Sequence, residues 1–330
     1  MNMDEYKYQI SVIIPFYNTT KYIKKCIDSL LHQTISSIEI IVVDDCSSEN
    51  IDEIYSQYSS YKNIIFLKNQ QQLGPGGARN KGIKESHGKY IAFCDSDDWV
   101  ELDTYEIVIN AMDIYNSEIG LISMQRAYNH PTPSPYYICH YDKLYQLNSD
   151  MALRILFKQY DMGVSIPFHC TNKIYRKDFL DRIHAKFEEK IYFQGKLFTI
   201  YTFLRAERIL CIPNATYKHY RRINSVIQSF DEKHINDFYQ SMSIVKDYLL
   251  QMNKYDIYRF NYYALCERSL DIVVQEIFEF VSDENMKKLY LRKAVDSMKS
   301  LISMEEYFEY ADAEKIRQHI QPHITNTSLL

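Results

Sequence analysis

The feature that most constrains this chain is a series of short apolar runs, each ending in residues that carry chemistry. Ile10-Ser-Val-Ile-Ile-Pro-Phe-Tyr17 is apolar almost throughout, and Ile38-Glu-Ile-Ile-Val-Val43 runs into Asp44-Asp45. Ile64–Leu67 and Tyr90-Ile-Ala-Phe-Cys94 repeat the pattern, the latter running into Asp95-Ser-Asp-Asp98. Near-continuous apolarity, rather than alternation, marks strands covered on both faces, which is the habit of parallel sheets. Helical patterns separate the runs. Tyr22, Ile23, Cys26, Ile27, Leu30 and Leu31 form one stripe behind the capping candidates Asn18-Thr-Thr20. Further helices are expected around Ile51–Tyr58 and Gly76–Ser86. Strands alternating with helices predict an α/β, doubly wound, mostly parallel sheet. Such sheets bind ligands beyond the carboxyl ends of their strands, and both acidic clusters sit there.

The pattern changes at His130-Pro-Thr-Pro-Ser-Pro135, which reads as a loop, and short strands and helices mix from about 136 to 230. Beyond 231 the chain reads as helical. No glycine or proline occurs between Pro213 and Pro322, so polar runs such as Ser282-Asp-Glu-Asn285 must separate the helices. The expected organisation is an α/β domain over 9–230, split near 125 into two halves (9–125 and 126–230), with a helical C-terminal extension over 231–330. With 330 residues, 46% of them hydrophobic, the chain can bury a sizeable core. A net charge of −5 argues against a nucleic-acid binder. The N-terminal Met-Asn-Met-Asp-Glu-Tyr-Lys lacks an apolar signal core, and an eight-residue apolar run is far short of a spanning helix. A cytoplasmic chain is expected. The seven cysteines lie at least twenty residues apart with no zinc-like spacing, so reduced thiols are expected.

Asp95-x-Asp97, on a turn after a buried strand, can share a hard divalent cation with a diphosphate, although Asp-x-Asp is also common in surface turns. Asp44-Asp45 ends another strand, where a carboxylate can accept hydrogen bonds from a base or ribose. A solvated turn or a cap involving Ser47 and Ser48 is the competing reading. Gly74-Pro-Gly-Gly-Ala-Arg-Asn-Lys-Gly82 fits neither the dinucleotide fingerprint nor the P-loop. It reads as a glycine turn opening a helix, with Arg79 set either to fork onto an anion or to pair with a nearby Asp.

Together these pieces resemble the family-two glycosyltransferases with the A-type fold over roughly residues 9–225, which implies a catalytic domain over 9–230 with a nucleotide-binding half (9–125) and an acceptor half (126–230). The matching segments are Ser11–Asn18, Val42–Ser47, Gly74–Gly82 and Gly88–Asp98, with Asn172-Lys-Ile-Tyr-Arg176 and Tyr220-Arg-Arg-x-x-Ser225 farther on. The resemblance implies that Pro15 and Tyr17 line the nucleotide pocket, with Tyr17 on the base. It implies that Asp45 bonds the uracil and that Arg79 sits beside the diphosphate. Asp97 would ligate Mn²⁺ or Mg²⁺, with Asp95 on the ribose or a metal-bound water. It further implies an inverting transfer from a nucleotide-sugar, a UDP-sugar foremost, to a carbohydrate or lipid-linked acceptor in surface-polysaccharide assembly. The C-terminal helices would pack on the catalytic domain, dimerise or touch the inner face of a membrane.

One position departs from the pattern. In many relatives a Glu-Asp pair supplies the proton-accepting base, and a gap-free alignment of Phe187–Phe198 puts Gln194 and Gly195 there. Neither takes a proton at neutral pH. Glu188 and Glu189 could serve only if the loop differs. The stretch Glu189–Gly195 also resembles the Glu-x-x-Tyr-x-Gln-Gly site of a tag-removing protease. Scars of that kind normally lie at termini, so natural coincidence is preferred over the alternative of deliberate design. Two rivals therefore stand beside an active sugar transferase: a catalytically weakened relative acting as partner or scaffold, and a nucleotidyltransferase.

Overall fold

The computed structural model describes residues 6–35, 37–128, 134–157, 163–221, 230–303 and 305. The expectations for His130–Pro133, for Arg222 and Ser225 of the last motif, and for the chain beyond 305 lie outside them. Two compact units divide at Arg222/Ile223.

The first unit is built on one ten-stranded sheet. The opening elements are β1 (Tyr8–Phe16), α1 (Thr20–Leu31), β2 (Ile38–Asp44), α2 (Asp52–Tyr58), β3 (Ile64–Lys68), α3 (Gly74–Lys84) and β4 (Gly88–Phe93). These match the expected strands and helices to within two or three residues. β1 pairs in parallel with both β2 and β4, and β2 pairs in parallel with β3. β2 is buried along its whole length, as its apolar run requires. Then follow β5 (Trp99–Val100), α4 (Thr104–Tyr115), β6 (Ile119–Ala127), β7 (Tyr136–Cys139), β8 (Tyr145–Leu147) and α5 (Ser149–Leu156). The unit ends with β9 (Lys173–Arg176), α6 (Lys177–Arg182), α7 (Gln194–Phe203) and β10 (Ile209–Tyr220).

The main strand order is β3-β2-β1-β4-β9-β6-β10-β5. β9 runs antiparallel between β4 and β6, and so joins the nucleotide half to the parallel pair β6–β10. β10 carries a register shift between Ile212 and Thr216, where Pro213 lacks an N–H and Asn214 adopts φ 61°. Beyond that bulge Tyr217 and His219, two residues apart, share one face.

Thr19 stands at the N-cap of α1, but its side chain does not cap the helix. The hydroxyl instead bonds Ser96 Oγ at 2.7 Å, fastening α1 to the acidic turn after β4.

The second unit consists of α8 (Glu232–Gln251), α9 (Tyr255–Phe280) and α10 (Glu284–Leu301), each packed on the other two. The expected polar separator is present. Asp283 caps α10 by accepting from Met286 N at 2.8 Å. Asp231 and His234 form a reciprocal capping box on α8. No described helix is long and apolar enough to cross a membrane.

Candidate functional site

Five strand ends and the start of α3 converge on one edge of the sheet. Pro15 lies opposite Val43 on β2, past the end of the β1–β4 pairing, so its missing N–H costs no ladder bond. Tyr17 follows as a 45% exposed ring. Asn18, at φ 49°, stitches the ends of β1 and β2: its Oδ1 accepts from the N–H groups of Ser48 and Glu49 at 2.9 and 3.2 Å. Asp44 is buried, not solvated. It accepts from Ser47 N at 2.8 Å and faces Lys68 at 3.4 Å.

Asp45 is 3% exposed and carries three protein donors. Its Oδ1 accepts from Asn69 Nδ2 at 2.7 Å and Leu73 N at 2.9 Å, and its Oδ2 from Gly74 N at 2.7 Å. A carboxylate there also faces the positive end of α3. Asp45 thus organises the turn that starts the helix, a part that its sequence position did not reveal.

Arg79, on α3, is 3% exposed, and its Nη2 donates to Asp95 Oδ1 at 2.5 Å. Its Nε and Nη1 are buried without a partner among the described residues. Burial opposes the charge, but the Asp95 carboxylate, through its charge and hydrogen bond, holds the guanidinium above its usual pKa. Arg79 therefore pairs with an Asp, as one reading has it, and leaves Nε and Nη1 without a protein partner among the described residues, which the other reading requires.

On the acidic turn, Asp95 and Asp97 are half-buried and Asp98 is buried. Asp98 accepts from Tyr217 OH at 2.5 Å and Tyr220 N at 2.8 Å, with His219 Nδ1 at 3.2 Å. Burial pushes the Asp98 carboxyl up, against the pull of His219 and Tyr217. Burial works to lower His219, but the Asp98 hydrogen bond and the charges of Asp98, Asp95 and Asp97 raise it. The ring of His169 lies 5.4 Å from that of His219; the residue keeps an exposed edge, and desolvation by the groups packed around it, with His219 and Lys173 adding to the effect, pushes its pKa down to about 4. Lys173 is fully buried and donates to Pro167 O, His169 O and Asn172 Oδ1 at 2.5–3.0 Å. Its pKa falls to about 8 through burial. Among these, Asp98, His169, Tyr217 and His219 were not singled out from sequence; the Tyr217-x-His219 alternation on β10 was the available signal.

Gln194 and Gly195 are the first two residues of α7. Gln194 is 8% exposed and its Oε1 has no partner among the described residues. A Cβ on Gly195 would meet Cys170 Sγ at 3.5 Å, an ordinary contact, so the position has room for a side chain. The segment carrying Glu188 and Glu189 is fastened along α3. Lys190 N donates to Leu73 O at 3.0 Å, and Asn80 exchanges hydrogen bonds with the backbone of Phe187 at 2.7 and 2.9 Å. Asn80 also reaches Glu189 Oε1 at 3.3 Å. A Cβ on Gly76 would lie 2.2 Å from the Glu188 carbonyl oxygen, so only glycine permits this approach. Among the described residues no three His, Cys, Asp or Glu side chains form a metal cluster by themselves.

Comparison with known proteins agrees with the motif reading. The chain is 27% identical over 242 residues to the glycosyltransferase GlyA of Streptococcus pneumoniae, covering 71% of this chain and 34% of that one. It is 28% identical over 270 residues to the putative glycosyltransferase EpsH of Bacillus subtilis, covering 76% and 72%. It thus spans about a third of GlyA but most of EpsH. The structure of S. aureus TarS 1–349 in complex with UDP-GlcNAc superposes with a TM-score of 0.64 over 91% of this chain and 92% of that one. At 22% identity that likeness speaks for the fold. The sequence profile described as Glycosyl transferase family 2 matches residues 11–183. With more than half of its length matched, and with the sheet and site edge just described, the chain belongs to glycosyl transferase family 2.

Proposed function

We propose that this edge of the sheet binds a nucleoside-diphosphate sugar, with UDP as the nucleotide, and transfers the sugar with inversion to an acceptor. The observation that carries the reading is Arg79: a buried guanidinium whose Nε and Nη1 have no partner among the described residues, beside the Asp95–Asp97 turn. Orphaned buried donors of this kind cost about 1–3 kcal/mol each, which a bound diphosphate would recover. Tyr17 offers its exposed face to the base, Pro15 shapes the pocket wall, and the Asp45-braced turn delivers the start of α3 toward the phosphates. The TarS complex with UDP-GlcNAc, of the same fold, supports uridine as the nucleotide.

The donor set fits a hard cation. Asp97 and Asp95 share one turn, and two carboxylates plus diphosphate oxygens suit Mn²⁺ or Mg²⁺ better than softer metals. Asp97 would hold the ion with Asp95 assisting, and the ion would supply neutralisation of the leaving diphosphate. Asp98, held by Tyr217 and His219, fixes the end of the turn against β10. The acceptor oxygen attacks the anomeric carbon in line as the bond to the β-phosphate breaks.

Surface-glycan assembly on the cytoplasmic side is the setting we favour. TarS, named a poly(ribitol-phosphate) β-N-acetylglucosaminyltransferase, is 27% identical over 72% of this chain, which covers 40% of TarS. A weakened relative that binds nucleotide and serves as a partner is the second reading, favoured by Gln194-Gly195. A thermal-shift screen of nucleotides with and without Mn²⁺ tests the proposal, since a ligand of the native state must raise the melting temperature. UDP should shift it most. A flat response across all nucleotides would remove the donor reading.

A further inference from the structure

We propose that His169 is the general base of this site: its imidazole takes the proton of the acceptor hydroxyl in place of the carboxylate that Gln194 and Gly195 do not supply. The inference rests on the donor reading above and assigns the proton transfer which that reading leaves open.

A hydroxyl that attacks the anomeric carbon must give up a proton, and neither an amide nor a glycine accepts one. A side chain at 195 would start 3.5 Å from Cys170 Sγ and 3.9 Å from Cys170 N. That nitrogen is bonded to the carbonyl carbon of His169, so by standard bond lengths the His169 Cα lies within roughly 6 Å of the same point. The backbone there is held from two sides. Thr199 Oγ1, on α7, donates to Phe168 O at 3.1 Å, and the buried Lys173 ammonium donates to Pro167 O and His169 O at 2.8 and 2.5 Å. The ring is 5.4 Å from that of His219, whose Nδ1 lies 3.2 Å from Asp98 Oδ2. His169 thus stands between the start of α7 and the acidic turn, and it keeps an exposed edge. Among the described residues no hydrogen bond occupies its ring nitrogens.

The neighbouring groups are engaged. Asp95 pairs with Arg79, Asp98 is filled by Tyr217, His219 and Tyr220, and Glu189 reaches Asn80. Cys170 is a buried thiol that burial keeps protonated. Desolvation, together with His219 on β10, Lys173 on β9 and Arg126 on β6, outweighs Asp95 and keeps the His169 ring neutral, the form that accepts a proton. With its pKa near 4, the ring is about as basic as the aspartate it replaces.

The step balances. A ring nitrogen takes the hydroxyl proton as the oxygen forms its bond to the anomeric carbon. The bond from that carbon to the β-phosphate oxygen breaks, and the electron pair leaves with UDP. The imidazolium then gives its proton to water.

The test uses the full chain with Mn²⁺ and whichever of UDP-GlcNAc, UDP-glucose and UDP-galactose binds in calorimetry. Methanol and glycerol serve as acceptors that carry a proton, and azide as one that carries none, with the glycosyl products read by mass spectrometry. His169→Ala should slow transfer to both alcohols at least about 100-fold, the low end of what a positioned base contributes, while transfer to azide and UDP affinity hold. Added imidazole should restore alcohol transfer by His169→Ala at least about tenfold, and so should Gly195→Asp in the same chain, which a merely structural part for His169 would not allow. Equal alcohol transfer by His169→Ala and the unaltered chain overturns the proposal. So does an equal loss of alcohol and azide transfer, or no alcohol transfer by the unaltered chain although a donor binds. Binding of none of the three donors would instead remove the donor reading beneath it.

Discussion

The substitution Asp45→Asn separates two parts that one carboxylate plays. In the structure its oxygens accept from Asn69 Nδ2, Leu73 N and Gly74 N at 2.7–2.9 Å inside a buried turn. The amide side chain of the variant keeps one oxygen, which can serve Asn69 and Leu73, but turns its NH₂ toward Gly74 N. One charge-assisted bond is lost, worth about 1.5–3 kcal/mol, and a buried N–H is left facing another donor. The attraction between the carboxylate and the N-terminus of α3 is lost too, adding about 0.3–1 kcal/mol. A destabilisation of about 2–4 kcal/mol follows, a drop in the urea midpoint on the order of 1 M. Urea unfolding followed by tryptophan fluorescence measures it, because the single Trp99 lies in the same unit. Calorimetry with UDP is run on the same variant well below its midpoint. An unchanged midpoint would refute the claim that these donors hold the turn. A lowered midpoint with unchanged UDP affinity would leave Asp45 as a brace and remove it from the uracil.

Two glycines should respond in opposite directions. Gly76→Ala drives a methyl against the Glu188 carbonyl and should cost about 1–3 kcal/mol in urea unfolding, whereas Gly195→Ala meets Cys170 at contact distance and should gain up to about 1 kcal/mol. Equal effects would mean that α3 and the 187–190 segment are not apposed as described. The pKa of His169 is pushed down to about 4 in the fold, below its ordinary 6.5, so between those values the unfolded chain binds the extra proton. Its contribution is complete above pH 6.5 and falls as pH drops toward 4, and solvent screening at this exposed residue keeps it small. His169→Gln should flatten that part of the stability–pH curve, and an identical acid limb in the variant would contradict the assignment.

Much of the sheet was legible because strands buried on both faces leave long apolar runs, as β1, β2 and β4 do, whereas β3, at the sheet edge, is only half-buried and left a shorter run. The helical breaks were legible for the same reason in reverse, as Asp283 shows: a polar residue where apolar periodicity stops. The antiparallel insertion of β9 between β4 and β6 was not legible, because Lys173–Arg176 is only four residues long and its partners are distant in sequence. At the site, local motifs pointed to Tyr17, Asp45, Arg79, Asp95 and Asp97, all on one edge of the sheet. They could not show that Asp98 is held by Tyr217 and His219, residues 119 and 121 positions away. Nor could a glycine-rich segment reveal that Leu73 and Gly74 commit their N–H groups to Asp45. Non-local hydrogen bonds leave no periodic trace, and those bonds decide which carboxylates remain available for ligands.

The most direct measurement is calorimetric titration of UDP into the unaltered chain, Arg79→Met and Asp97→Asn, each with Mn²⁺ and with chelator. The account predicts that the unaltered chain binds UDP and binds it more tightly with Mn²⁺. Arg79→Met should lose at least about tenfold in affinity, the equivalent of one charge-assisted hydrogen bond. Asp97→Asn should bind equally with metal and with chelator. Matching affinities across all three proteins, or no UDP binding by the unaltered chain, would contradict the assignment of this edge as a donor site.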